Sequence, residues 1–216
     1  MDHAAIDHTG LTGVGGSALV PTVVQTGANG ASTTSLATTI SAAASGRRLI
    51  VVAWSNGRDV NTPTCTNVTF TEVGATNFST TIYMSVYVGV VSGGSSGTTV
   101  TVTATGSNFI FTDVYEVADA LTPTAGTSAT LTNTNVQAVA YTPVGPITPT
   151  KGTFCIFAAA QDNGTTPMPI MVTAPFYARS LIGGSAIFYA PGGSVAGFVT
   201  TGTANADFCA IIVPVT

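Results

Sequence analysis

Three stretches of this chain are apolar at consecutive positions: Leu49-Ile50-Val51-Val52-Ala53-Trp54, Phe154-Cys155-Ile156-Phe157-Ala158 and Phe208-Cys209-Ala210-Ile211-Ile212-Val213. Each is far shorter than the roughly 20 apolar residues a helix needs to cross a bilayer, so no membrane span is expected. Their β-branched and aromatic content favours strands, and a strand with no polar face is buried on both sides. An ordinary sandwich strand keeps one face wet. Something must therefore cover the outer faces of these three. The sequence leaves two covers open, the chain's own long loops or another subunit.

From about residue 22 onward, Val, Ile, Thr, Phe and Tyr fill short runs punctuated by Gly, Pro, Asn and Ser. Thr98 to Ala104 alternates cleanly, which puts Val100, Val102 and Ala104 on one face and threonines on the other. Ile82 to Val90 puts Ile82, Met84, Val86, Val88 and Val90 on one face and Tyr83, Ser85, Tyr87 and Gly89 on the other. Between them, Ser92-Gly93-Gly94-Ser95-Ser96-Gly97 has the positive-φ tolerance of a hairpin connection, so the two strands are expected to be antiparallel neighbours. Phe109 to Val117 is a further strand, carrying Asp113 and Glu116 on opposite faces. Weaker strands are expected at 36–42, 66–73, 186–190 and 195–200, and the Pro- and Thr-rich stretch 121–150 reads as a long excursion holding edge strands or a protruding loop. About eight to ten short strands without a helix of ordinary length indicate an all-β, antiparallel β-sandwich of jelly-roll or Ig-like type. Residues 21–216 form its single domain. Residues 1–20, dense in glycine and without a sustained period, read as an extended N-terminal arm.

Charged residues are 6% of the chain against 45% hydrophobic, so the surface is rich in hydroxyls and amides. A formal net charge of −4 gives little repulsion between copies and suits a crowded assembly. The cations are Lys151 and Arg47, Arg48, Arg58 and Arg179, with no basic stripe to neutralise a phosphate backbone, so nucleic acid is not expected as a partner. The start, Met1-Asp2-His3-Ala4-Ala5-Ile6-Asp7-His8, lacks the basic and apolar regions of a secretory signal. The three cysteines, Cys65, Cys155 and Cys209, have no metal-type spacing and read as buried free thiols made in a reducing cytosol, with a late Cys155–Cys209 disulfide left open.

Both histidines, His3 and His8, lie in the arm, so one chain cannot assemble a Ser-His-Asp or Cys-His site within the body. No catalytic residue, metal ligand set or cofactor site is expected. Asp2-His3 and Asp7-His8 lack flanking ligands at metal spacing. Asp113 and Glu116 cannot serve one cleft from opposite faces of a strand; Glu116 has Asp59, Asp119 and Asp162 as the carboxylates it could otherwise meet. Gly10, Gly13, Gly15 and Gly16 follow no strand and precede no Lys-Ser/Thr, unlike a phosphate loop. Asn67-Val68-Thr69, Asn77-Phe78-Ser79 and Asn163-Gly164-Thr165 match the glycosylation acceptor pattern by chance in a Thr-rich chain. Arg47, Arg48 and Arg58 cluster around the strongest strand, either as solvated strand ends or as partners for acidic groups on a neighbouring subunit.

Two segments resemble bacteriophage virion proteins. Ile6-Asp7-His8-Thr9-Gly10-Leu11-Thr12-Gly13-Val14-Gly15-Gly16 is similar to an arm motif near the start of phage structural proteins, head- and tail-associated ones included. Arg48 to Trp54, Tyr83 to Val91, Thr99 to Ala104 and Val114-Tyr115-Glu116-Val117 together resemble a jelly-roll or Ig-like module of phage particle proteins, with Ala118-Asp119-Ala120 where that module has a glycine. The resemblance implies a virion structural protein made in the host cytoplasm. Its leading form is a capsid decoration or cement protein, a homo-oligomer with a trimer favoured, bound to the major capsid protein or another virion protein. Ile6, Asp7, His8, Leu11 and Val14 of the arm then contact the partner, with Arg47, Arg48 and Arg58 as body contacts. A tail, baseplate or fibre component is the second form. From another class, a carbohydrate-binding module would stack host glycans on Tyr83, Tyr87, Phe176 and Tyr177.

Overall fold

The structure, a computed structural model, describes residues 21–106, 109–119, 121–136, 142–161, 170–172, 184–190, 194–199 and 206–215. The arm, with Ile6, Asp7, His8, Leu11 and Val14, lies outside them. In chain order the strands are β1 (Val23–Ala31), β2 (Ser35–Thr39), β3 (Arg48–Asn56), β4 (Val68–Phe78), β5 (Ile82–Val91), β6 (Thr99–Thr103), β7 (Phe109–Val117), β8 (Ala129–Val136), β9 (Thr142–Ile147), β10 (Phe154–Gln161), β11 (Ile170–Val172), β12 (Ser185–Tyr189), β13 (Val195–Val199) and β14 (Ala206–Val215). The chain is all-β, with no helix among the described residues, and every paired strand runs antiparallel.

The two large sheets, ordered β1-β7-β3-β5-β4 and β12-β10-β14-β8, face each other as a sandwich. Ile50, Val52, Met84, Val86 and Tyr115 from the first sheet meet Ile156, Ile187, Ile211 and Val213 from the second in a central core. Each sheet is then covered on its outer side by a smaller one. The β2-β6 pair adds Leu36, Val100 and Val102 over Leu49, Val51 and Val114. On the other side, β9 and β13 of the β11-β13-β9 sheet bring Ile147 and Val195 onto Cys155, Phe157 and Ile212. The molecule therefore has four layers. This explains why β3, β10 and the described side chains of β14 are buried on both faces: the cover is neither loops nor a second subunit but two further sheets of the same chain. Each fully buried large apolar side chain in these cores contributes about 1.5–3 kcal/mol relative to exposure.

The layers divide the sequence cleanly. Residues 23–117 build the first large sheet and its cover, and residues 129–215 build the second large sheet and its cover. The link between them crosses one end of the sandwich. There Leu121 enters the central core, Arg48 Nε donates to the Leu121 carbonyl at 2.6 Å, and Gly126 N donates to Pro214 O at 2.8 Å. The 121–150 stretch thus resolves into this link and two edge strands, β8 and β9.

The expectation that β5 and β6 are neighbours is wrong. β5 lies between β3 and β4, while β6 pairs with β2. Gly93 and Gly94 do adopt positive φ, 72° and 138°, but the connection they make carries the chain from one layer to the next. Tyr87 and Val91 on the outward face of β5 and Val100 and Val102 of β6 belong to the same outer core, so β6 lies in the layer over this sheet instead of at the edge of β5.

The first strand needs a different explanation, because Gly27 and Gly30 weaken it as a sequence. A Cβ on Gly27 would lie 2.9 Å from the Thr39 carbonyl oxygen, and one on Gly30 would collide with the Phe111 ring. Glycine at 27 permits β2 to fold closely over β1, and glycine at 30 leaves room for the Phe111 ring of the neighbouring β7. The outward edge of that corner is closed by side-chain amides: Asn29 Nδ2 donates to Ala37 O at 2.7 Å, while Gln25 donates to Ser41 O at 2.8 Å and accepts from Ser41 N at 2.7 Å.

Candidate functional site

The buried polar groups come first, since burial without a task is costly. Asp113 is 2% exposed and faces the central core. Its Oδ2 accepts from Ser185 Oγ at 2.7 Å, and that hydroxyl lies 2.7 Å from Tyr115 Oη, which also donates to Ser185 O at 3.0 Å. The chain Asp113–Ser185–Tyr115 therefore ties β7 of one half to β12 of the other. Burial, and then the Asp113 carboxylate, push the Tyr115 hydroxyl well above its ordinary value, so it stays a neutral donor. A buried hydroxyl pair, Thr38 with Thr112, similarly joins β2 to β7.

Glu116 points the opposite way, as its spacing from Asp113 requires, and is 4% exposed. It accepts from Gln25 Nε2 at 2.6 Å and lies 3.8 Å from Arg47 Nε. The two carboxylates do not share a cleft, and Asp162 lies outside the described residues. Arg48 gives its donors to the carbonyls of Leu121, Gly46 and Arg47. Of the three arginines expected to face a partner, Arg47 and Arg48 are thus engaged inside their own chain, while Arg58 is exposed beside Gly106. Nothing brings the three together.

The free thiols separate into two kinds. Cys155 and Cys209 are fully buried, and although β10 and β14 are neighbours, Cys155 pairs with Pro214 and Cys209 with Ala160. One faces the outer core and the other the central core, so they form no disulfide. Cys65, expected to be buried, is half-exposed. Burial raises all three thiols, Cys155 and Cys209 to about 12. A thiol reagent at pH 8 is expected to label Cys65 slowly and the other two only after unfolding. The folded chain also keeps thiol protons that an unfolded one releases at about 8.5. Stability is therefore full below that value and falls as pH rises from about 8.5 toward 12. Urea midpoints at pH 7.5 and 10 check this; equal midpoints contradict it.

Other expected sites are placed as follows. Tyr87, named as a sugar platform, is 1% exposed and donates to Val60 O at 3.1 Å, which removes it from the surface. Tyr83 is half-buried, and Phe176 and Tyr177 lie outside the described residues. Asn67 Nδ2 donates to Ser95 O at 2.8 Å and Asn77 Nδ2 to Ser79 O at 2.9 Å, so both acceptor-pattern amides are occupied. No group of three or more His, Cys, Asp or Glu could hold a metal ion among the described residues.

Two features were not anticipated. The first is the root of the arm. Thr22 N donates to Asp119 Oδ2 at 2.9 Å and Thr22 O accepts from Ala118 N at 2.9 Å. The same carboxylate lies beside the Tyr189 hydroxyl, which burial and Asp119 together hold above its ordinary value. Asp119 therefore clamps β1, β7 and β12 where the arm begins. The second is a groove of about 410 Å³ lined by Pro146, Pro149, Pro214 and the hydroxyls of Thr127, Ser128 and Thr150. Neither carries a sequence motif, because both arise from how the 118–128 link crosses the end of the sandwich. Compared with known proteins, the chain matches no family, no curated protein and no solved structure.

Proposed function

We propose that this chain is a structural component of a phage particle, a decoration or cement protein whose partner is the major capsid protein or another virion protein. The observation that carries the reading is the Ile6–Gly16 segment and its resemblance to the arms of virion proteins. The body supports it in two ways. Its carboxylates Asp113 and Glu116 and two of its arginines serve to join strands rather than to meet a substrate. Its outer β2-β6 layer presents Ser35, Thr39 and Thr99, exposed uncharged hydroxyls that let identical copies crowd without repulsion. Attachment then sums many weak, repeated contacts, with the arm ordering on its partner.

The test is the copy number of the protein in purified particles, measured against the major shell protein by quantitative mass spectrometry. A simple ratio to the shell subunit is the expected result. A handful of copies moves the protein to the tail or baseplate, and absence from the particle overturns the reading.

A further inference from the structure

The two halves of the chain repeat one another strand for strand. With β1 to β7 set against β8 to β14 in chain order, the pairings β1 with β7, β7 with β3, β3 with β5 and β2 with β6 recur as β8 with β14, β14 with β10, β10 with β12 and β9 with β13. Only the fourth strand departs: β4 pairs with β5, whereas β11 pairs with β13. The match reaches single residues where β3 and β10 begin. Gly46 and Gly152 stand at the same place, with φ of 87° and 84°. Arg47 N donates to Ala44 O at 3.2 Å, as Thr153 N does to Thr150 O at 3.0 Å. Gly46 N donates to Val91 O and Val91 N to Arg47 O, just as Gly152 N donates to Ala190 O and Ala190 N to Thr153 O. From there the two strands stay in phase. Ile50 and Val52 face the central core, as their counterparts Ile156 and Ala158 do. Leu49 and Val51 face an outer core, and so do Cys155 and Phe157.

The cores divide in the same way. A domain packs its layers of secondary structure around one core of its own. The outer core under β2 and β6 is drawn wholly from the first half of the chain, and the one under β9 and β13 wholly from the second. Only the central core draws on both. Contact across it is reciprocal. On one side β12 meets β7, where Ser185 Oγ donates to Asp113 Oδ2 at 2.7 Å; on the other β5, the counterpart of β12, lies against β14, the counterpart of β7. A patch that meets its own kind in both directions is the mark of a two-fold, isologous interface. Its apolar filling is that of obligate dimers, whose interfaces resemble a domain core cut in half.

We infer that residues 23–117 and 129–215 are two copies of one seven-strand unit, and that the inward sheet face of each is a docking surface whose partner is another unit of the same fold. The chain is thus a homodimer in form, with both partners carried on one backbone. The 118–128 link keeps the second unit at a high effective concentration beside the first, which lets the two faces diverge in sequence without parting. The pairing of units is a property of the chain itself and holds whether or not the protein belongs to a particle.

The test uses the full chain, cut after it has folded. A protease recognition sequence is inserted between Pro123 and Thr124 in the link, and in a second protein between Gly93 and Gly94, inside the first unit. Trp54 fluorescence shows that the uncut proteins fold as the parent does. Each is then cleaved, unfolded in urea and returned to buffer. The pieces from the link cut are expected to rejoin as a one-to-one complex on size exclusion and to regain the Trp54 signal, with a yield roughly tenfold that of the protein cut between Gly93 and Gly94, because a cut between domains spares each core and a cut within one does not. Equal yields from the two cuts overturn the inference, as do link-cut pieces that fail to rejoin. If the insertion at 123 disturbs the uncut fold, one between Thr127 and Ser128 takes its place, and a link that tolerates neither counts against two separable units.

Discussion

Phe157→Ala is expected to lower the unfolding free energy by about 3–5 kcal/mol, the usual loss for deleting a fully buried aromatic ring. Phe157 is 0% exposed and sits between β10 and the outer β9 and β13 strands, against Ile147, Phe188 and Ile212. A domain stable by about 5–15 kcal/mol loses a large part of its margin to such a change. The effect depends on the fourth layer: if only mobile loops lay over β10, the cavity would collapse or fill with water and the loss would shrink. Thr99→Ala, on the exposed hydroxyl face, is the contrast and should stay within about 0.5 kcal/mol. The chain's single tryptophan, Trp54, is 8% exposed and stacked on Phe111 with ring centroids 4.5 Å apart, so its fluorescence reports urea unfolding. A Phe157→Ala loss below about 1 kcal/mol would mean the outer core is not packed as described.

Ser185→Ala should cost about 3 kcal/mol, more than the size of a serine suggests. The substitution leaves Asp113 buried without the hydroxyl that donates to it at 2.7 Å and takes from Tyr115 its side-chain partner. A buried carboxyl group that loses a donor bears a desolvation penalty larger than the net worth of an ordinary hydrogen bond. Tyr115→Phe removes a donor but leaves Asp113 its Ser185 partner, and its expected cost is about 1 kcal/mol. The order of the two is the diagnostic. Thermal unfolding of both variants, compared with the parent, decides it, and a silent Ser185→Ala together with a severe Tyr115→Phe would show that the relay does not hold the halves together.

Strands whose faces differ in chemistry were legible from sequence, and β6 is the clearest. Its alternation put Val100 and Val102 inside and Thr101 and Thr103 outside, as they are. Runs without alternation, β3 and β10, correctly signalled burial on both faces, but periodicity says nothing of what provides the cover. The β5–β6 pairing failed for a related reason. Glycine in a connection permits a turn without saying whether the chain returns edge to edge or face to face. The buried Tyr87 and Val91 on the outward face of β5 were the hint, since a strand apolar on both sides needs a layer over it, and β6 is part of that layer. β1 was hard to delimit because Gly27 and Gly30 are explained only by partners distant in sequence. Of the candidate site, the arginine cluster was visible as a cluster, but its use in binding Leu121 O and Glu116 depends on where the link and β7 pass. The Asp119 clamp and the groove have no local pattern at all.

The division of the layers at residues 118–128 bears on how the chain comes into being. By the time residue 128 has been synthesised, every strand of the first half exists, together with the cover for its outer core. Its other face, with Ile50, Val52, Val86 and Val88, has nothing to pack on until β10 and β14 are made. β14 comes after β8, β10 and β12 in the chain and pairs between β10 and β8, so the second sheet closes only once residues 206–215 have been made. For that interval the nascent protein is half of a sandwich with an open apolar surface, the state in which two-part proteins are most exposed to misassembly with one another.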